Sequence, residues 1–470
     1  MNEFYSVVID RNSENPIYKQ LGDKLCELIE KGVIPTDTRL PAIRKMAEKL
    51  KVNNATVVMA YKYMETKKIV YSIKGSGTYV SPIPVEKIPE PVEKLNINFN
   101  ESYDFKNKIN FTSSSIPEEL FPTDDFKQVF NTILEREKGN AFKDILGQGY
   151  EPLRNEIALF CENLGIRTNK ENIQIISGAQ QGIDIVSKAL MKYKDCVIVE
   201  KPTFYGAVAA FISRGSDIIE IPLEYDGINI EMLENTIKLY KPKIMYIMAY
   251  FQTPSGICYS TEKKRKIIEI AEKNDMYIIE DDNLYDFNYT GESIVPLKAL
   301  DYKNRVIYIK SFSKILMPGL RTGFMIIPPK IKDDVIRAKY TSDISTSGFM
   351  QRAVYEYLKN YDFKNHINNI IKYAENKYYK ALSYCKKYLD KEKIEVIDNK
   401  GGISLWIKLK TNINLEQFCG ELIKNGVIVA LENQFINSGK GNHIRLCFVN
   451  LSDEDIEKGF CIIGNVIKKY

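Results

Sequence analysis

The 470-residue chain is 44% hydrophobic and 27% charged with a formal net charge of +5, a balance that excludes a disordered or fibrous protein and, at this length, calls for two or three domains. Its eight cysteines (Cys26, Cys161, Cys196, Cys258, Cys385, Cys419, Cys447 and Cys461) form no CxxC pair, and its only histidines are His366 and His443, which argues against a metal centre or a histidine-based triad. No leader-like start and no run of about 18 apolar residues is present, so a cytoplasmic protein without membrane association is expected.

Residues 1 to 82 hold thirteen Lys and Arg against nine Asp and Glu, a bias that permits a polyanionic partner. PIYKQLGDKLCELIEKG spaces Ile17, Tyr18, Leu21, Leu25, Leu28 and Ile29 as one helical face between Pro16 and Gly32. LPAIRKMAEKL predicts a second helix with Ile43, Met46, Ala47 and Leu50 inward, and the turn KVNN leads to a third, ATVVMAYKYMETKK. IVYSIKGSGTYVS then alternates around a glycine-bearing tip as a hairpin does. Three helices and a hairpin are the order of a winged helix-turn-helix, whose second motif helix enters the major groove N-terminus first. Its opening residues Asn53, Asn54, Ala55 and Thr56 are candidates for base or phosphate contact, with Arg44 and the wing-tip Lys74 placed for backbone oxygens. Each taken alone also reads as a solvated polar residue. RLPAIRKMAEKLKVNNATVVMAY followed by GSGTYV resembles the GntR-type winged helix, which implies binding to a double-stranded DNA operator; Asn54 stands where that family usually has arginine.

Four prolines between Pro82 and Pro91 mark a linker, expected over 83–108, between a DNA-binding domain at 1–82 and a second domain at 109–470. Beyond it, helical segments alternate with NIQIISG, DCVIVE, KIMYIMAY, MYIIEDD and RVIYIKSFS, predicting an α/β fold with a largely parallel sheet. GGISLWIKL, NGVIVA and HIRLCFV predict a smaller C-terminal α+β lobe.

Six motifs lie in this domain in order: GQGYEPLR, SGAQQG, EKPTFYG, FQTPSG, EDDNLYDF and, after SFSKILMPGLR, HIRLCF. Lys314 offers an amine that can condense with an aldehyde, and Asp281 ends a buried strand where a carboxylate keeps a ring nitrogen protonated. Backbone N–H groups at Ala179 and Gln180 open a helix, and Ser311, Ser313 and Arg321 add hydroxyls and a cation, as a phosphate requires. Phe204 can cover a ring face. These needs are those of pyridoxal phosphate. The competing readings are a helix cap or surface acid for Asp281, plain core for Phe204 and a surface ion pair for Arg445.

The motifs and their order resemble fold-type I pyridoxal-phosphate aminotransferases over about 109–470, and the whole chain resembles MocR regulators, a GntR-type domain fused to an aminotransferase-like domain. The resemblance implies that Lys314 forms the Schiff base, Asp281 meets the pyridine nitrogen, Phe204 stacks, Arg321 helps hold the phosphate and Arg445 receives an effector carboxylate. It also implies a homodimer. Two departures stand out: Thr253 replaces the asparagine of the aminotransferase NPTG motif, and Asn283 and Leu284 occupy the positions where a tyrosine follows the aspartate, with Tyr285 one residue further. Cofactor binding is thus better preserved than the tuning of its phenolic oxygen. A regulator sensing an amino compound or pyridoxal phosphate itself is expected, with a working aminotransferase carrying a DNA-binding module, or a DNA-binding protein with a degenerate second domain, as alternatives.

Overall fold

A computed structural model describes residues 3–5, 7, 9–11, 13, 15–30, 33–67, 69–73, 76–81, 107–410 and 413–470. Lys74 and most of the expected linker, up to residue 106, lie outside them. The chain divides into two compact units, Met1–Glu90 with Glu231–Lys241, and Pro91–Ile230 with Pro242–Tyr470.

In the first unit, α1 (Ile17–Glu30), α2 (Ile43–Leu50) and α3 (Asn54–Thr66) precede a hairpin of β1 (Val70–Ile73) and β2 (Gly77–Val80), paired Val70 to Val80 and Ile73 to Gly77. The predicted apolar faces meet: Leu21, Leu25, Met46, Ala47, Val57, Ala60, Met64 and Val80 form one core, which Phe4 and Val7 join from the N-terminal segment. Ile43 departs from expectation and is exposed: it shares the face of Met46 and Ala47 but is the first residue of α2, a turn before the part of that face the core covers. Lys51 ends α2 in the left-handed conformation (φ 51°), its N–H donating to the carbonyls of Ala47 and Glu48, and so sets the turn into α3.

From residue 107 the chain runs through β3 (Ile109–Asn110), α4 (Thr123–Glu137), α5 (Glu151–Asn163), β4 (Ile173–Ile176), α6 (Ala179–Leu190), β5 (Cys196–Lys201), α7 (Tyr205–Ile212), β6 (Asp217–Glu224) and β7 (Gly227–Ile228). It continues with α8 (Ile230–Tyr240), β8 (Ile244–Ile247), α9 (Thr261–Lys273), β9 (Tyr277–Asp282), α10 (Leu297–Leu300), β10 (Val306–Ser311), β11 (Gly323–Ile326) and α11 (Lys332–Asp343). The last part comprises α12 (Gly348–Asn360), α13 (Phe363–Tyr388), β12 (Ile394–Val396), β13 (Ser404–Leu409), α14 (Leu415–Lys424), β14 (Val427–Ile428), β15 (Ala430–Leu431), β16 (His443–Cys447) and α15 (Asp453–Ile467). The main sheet has the order β4-β11-β10-β9-β8-β5-β6-β7. Strands β4, β10, β9, β8, β5 and β6 run in one direction, while β11, inserted between β4 and β10, and the edge strand β7 run antiparallel to them, which gives the expected mixed, largely parallel sheet. Its strands are buried on both faces, as their unbroken runs of Ile, Val and Met require.

The C-terminal lobe is an antiparallel sheet β12-β13-β16-β15. NGVIVA, which reads as one strand, is two: β14 pairs with β3, and β15, after Val429, joins β16. Among the described residues no helix is long and apolar enough to cross a membrane.

Strand alternation sets the polar chemistry at the end of β9. Glu280 and Asp282 face one side and Asp281 the other. Glu280 accepts from the Leu297 and Lys298 N–H groups, each at 2.7 Å, and from the Tyr250 hydroxyl at 2.9 Å. Asp282 accepts from the Tyr308 hydroxyl and, at 3.1 Å, from Lys310, whose Nζ also donates to Asp286 at 2.8 Å. Burial opposes the Lys310 charge, but the two carboxylates outweigh it and raise its pKa. Lys310→Met should therefore strand two carboxylates and cost about 3–5 kcal/mol, read as a lower urea midpoint of the second unit's unfolding.

Candidate functional site

The parallel strands end at a cavity of about 360 Å³ whose wall includes Ala179, Gln180, Phe204, Thr253, Asp281, Lys314 and Arg445. Ligands of open α/β sheets bind beyond this carboxyl edge.

Asp281 is buried at the end of β9, neither a helix cap nor a surface acid. Its Oδ2 accepts from the Tyr246 hydroxyl at 2.7 Å, whereas Oδ1 has no partner among the described residues. Burial pushes its carboxyl up to about 6, against the pull of Tyr246 and with a further push from Asp282. A buried carboxylate with a spare oxygen on a cavity wall suits a protonated ring nitrogen.

Lys314 lies in the turn after β10, and its Nζ donates to the carbonyl of Ser114 at 2.6 Å and to its hydroxyl at 2.8 Å. Burial brings its ammonium down to about 8; Arg445 adds to this and Cys447 opposes it. The lowered value leaves more of the amine neutral near pH 7 than an ordinary lysine has, as an amine nucleophile needs.

Beside these groups, α6 starts at Gly178 without a side-chain cap, so its first N–H groups are free for an anion. Gly178 has φ of 100°, and a Cβ there would lie 2.6 Å from Arg321 Nη2, so only glycine admits that approach. The Arg321 guanidinium donates to the Ser177 carbonyl at 2.5 Å. Ser311 pairs across the ladder with Gly323, which lies against Gly178, and its hydroxyl is 2.8 Å from that of Ser313. Ser311, Ser313 and Arg321 are thus grouped near the start of α6 but do not line the cavity. Gln180 donates to the Gly206 carbonyl at 2.8 Å and ties α6 to α7, where Phe204 both packs against the sheet core and faces the cavity. Any side chain at Gly206 would collide with Gln180 and Phe204.

Among the described residues Arg445, on β16, makes no ion pair. Its guanidinium lies 4.9 Å over the Phe435 ring and donates to the Thr112 carbonyl at 3.1 Å, and its Nε is buried without a partner. Spare guanidinium N–H groups on a cavity wall suit a carboxylate. Tyr285 does not reach the cavity: its hydroxyl donates to the Ile294 carbonyl at 2.9 Å and its ring packs edge-on against Tyr250. Asn283 and Leu284 do line it. The sequence reading missed Tyr246 and Ser114. A tyrosine within an apolar strand signals a hydroxyl needing a buried partner, which could have flagged the first; Ser114, in a run of three serines, gave no signal.

In the first unit, Asn54 and Ala55 are exposed at the start of α3, Thr56 is half-buried, and Arg44 is exposed on α2. Asn53 is the helix cap, its Oδ1 accepting from the Ala55 N–H at 2.9 Å, which removes that oxygen from base reading.

Residues 106–461 match the aminotransferase class I and II family and residues 17–80 the bacterial regulatory proteins of the gntR family. The chain belongs to the class I and II aminotransferases, with a gntR-type helix-turn-helix in front. That order is of the MocR type: the chain is 26% identical to the probable rhizopine catabolism regulatory protein MocR of Rhizobium meliloti, over 96% of this chain and 94% of that one. It is 25% identical to the HTH-type transcriptional regulator YdfD of Bacillus subtilis, over 97% of each. Among solved structures, the α-aminoadipate aminotransferase LysN of Thermus thermophilus, complexed with N-(5'-phosphopyridoxyl)-L-leucine, superposes with a TM-score of 0.72 at 26% identity, over 77% of this chain and 93% of that one. Family members depend on pyridoxal phosphate, and the spare oxygen of Asp281, the open start of α6 and the buried Lys314 fit that group. The rate of pyridoxal phosphate uptake, followed by absorbance, should rise with pH and level off above about 8 rather than near 10.5, and Lys314→Ala should abolish the covalent absorbance band.

Proposed function

We propose that the protein is a cytoplasmic transcriptional regulator of the MocR type. The winged helix binds a double-stranded DNA operator, the cavity holds pyridoxal phosphate, and an amino compound or pyridoxal phosphate itself is the effector. The observation that carries this reading is a helix-turn-helix with an exposed start to α3 in the same chain as a cavity lined by both a buried carboxyl with a partnerless oxygen, Asp281, and a buried lysine amine, Lys314.

When bound, the cofactor supplies an electrophilic carbon and an electron-accepting ring. Lys314 provides the covalent attachment, and Asp281, steadied by Tyr246, keeps the ring nitrogen protonated. Phe204 covers the ring. The N–H groups of Ala179 and Gln180, with Arg321, Ser311 and Ser313, hold the phosphate, and Arg445 orients an effector carboxylate. Thr253 in place of asparagine, and Tyr285 turned towards Ile294, leave the phenolic oxygen without the donors that tune rapid turnover, which favours sensing over transamination. Engagement of the amine shifts the equilibrium between two arrangements of the protein that differ in DNA affinity.

A homodimer belongs to the same proposal. Phe142 and Leu146 are 66% and 64% exposed, and Phe142 stacks on Phe349 at 5.2 Å, which stacks on Phe130 at 5.4 Å. An apolar ladder from core to surface suits a second copy. The double variant Phe142→Glu, Leu146→Glu should sediment as a monomer, against a wild-type dimer.

Purified protein should be yellow, and titration with amines, amino acids and free cofactor should shift its absorbance for the effector class; a colourless protein after cofactor addition would overturn the cofactor assignment. In a competition shift assay the protein should prefer its own upstream DNA, and the Arg44→Ala, Thr56→Ala variant should lose about tenfold or more in affinity. Equal binding to unrelated DNA would count against regulation. Steady conversion of an amino acid on adding a keto acid would favour an aminotransferase instead.

A further inference from the structure

The outward face of α3 carries more information than its polar start. The helix buries Val57, Ala60, Tyr61 and Met64, so Ala55, Met59 and Lys62 lie on the opposite side, and all three are exposed, Met59 at 49%. Asn54, the first helical residue, is exposed, and among the described residues its amide makes no hydrogen bond, whereas Asn53 is committed to capping. Exposed Arg44, Lys45 and Lys49 on α2, with Lys51 in the turn, give this face the charge that complements a phosphate backbone.

In the major groove a carboxamide matches adenine, donating to N7 and accepting from N6, whereas guanine is read by arginine or lysine. The α3 sequence NATVVMAYKYMET has no arginine, and Lys62 stands eight residues past Asn54, about 12 Å along the axis, at the distance of the phosphates. The thymine C5-methyl is the apolar feature of the groove floor. Ala55 and Met59, four residues apart, form an apolar strip next to Asn54 that water alone would leave unmatched.

Taking the first unit as a DNA-binding domain, as proposed above, we infer that Asn54 is the specificity-determining residue and that it selects an adenine. The neighbouring base in the half-site is a thymine whose methyl packs on Ala55 and Met59. The operator half-site is therefore built on A·T pairs where an arginine at position 54 would demand guanine.

The test is selection of the full-length protein on a pool of random duplexes, followed by sequencing. Wild type should enrich half-sites with a fixed adenine beside a thymine, and Asn54→Arg should change that one position to guanine while leaving the rest of the motif intact. Replacing the thymine by deoxyuridine, which removes only the methyl, should weaken wild-type binding about fourfold and Met59→Ala, which keeps only the Ala55 contact, by less. Retention of the wild-type melting profile checks that Asn54→Arg and Met59→Ala fold. A wild-type motif with guanine at the responsive position, or one motif for both proteins, overturns the inference and leaves DNA binding standing. No enrichment from any pool overturns the DNA-binding reading as well.

Discussion

The second unit depends on how three successive carboxyl groups are buried at the end of one strand. A buried charge must find partners or neutralise, and β9 delivers Glu280, Asp281 and Asp282 into the interior together. Two are provided for locally, Glu280 by the N–H groups at the start of α10 and Asp282 by Lys310 and Tyr308. Asp281 has Tyr246 alone, and the remaining demand points into the cavity. The strand is thus tied down on one face and left incomplete on the other. Its fixed position gives the incomplete face a definite geometry, and Lys314, Phe204 and the start of α6 are arranged around it by neighbouring strands of the same sheet.

Much of this was legible in the sequence because the signals are local. Helical spacing in the first unit, β-branched runs for the parallel strands and the order of motifs at their carboxyl ends all follow from short stretches. What escaped depends on tertiary pairing. Tyr246 finds its carboxylate because β8 lies beside β9 with Tyr246 opposite Ile279, a register that no local pattern encodes. Asn53 looks like a base reader until its oxygen is seen closing the first turn of α3. NGVIVA looks like one strand because nothing in six apolar-rich residues marks the change of sheet at Val429. Tyr285 has the composition of a cofactor contact and the wrong direction, since the turn after Asp282 carries its ring to Tyr250.

The groups preserved and altered around the cavity fall into two sets. Those proposed to attach and hold a cofactor are present together: the lysine, the strand-end aspartate, the phenylalanine on the cavity wall and the glycine that admits Arg321. Those that would tune its phenolic oxygen are changed, at Thr253 and at Asn283 and Leu284, with Tyr285 turned away. Retaining a ligand and accelerating a reaction place different demands on a site, since only the second requires stronger interaction in the transition state than in the ground state. The chain meets the first demand more fully.

Ser114, which holds the Lys314 amine, belongs to the stretch that opens the second unit. That stretch is anchored to the C-terminal lobe, with β3 paired to β14 and the Phe111 carbonyl accepting from the Cys447 N–H at 2.8 Å, while Thr112 holds Arg445. Any molecule that takes up the lysine must draw its nitrogen away from Ser114, and any that takes up Arg445 competes at Thr112. Both events act on one short strap whose other contacts are to the C-terminal lobe. The lysine and the arginine, 131 residues apart in sequence, are thereby seated on two residues of the same stretch, Ser114 and Thr112.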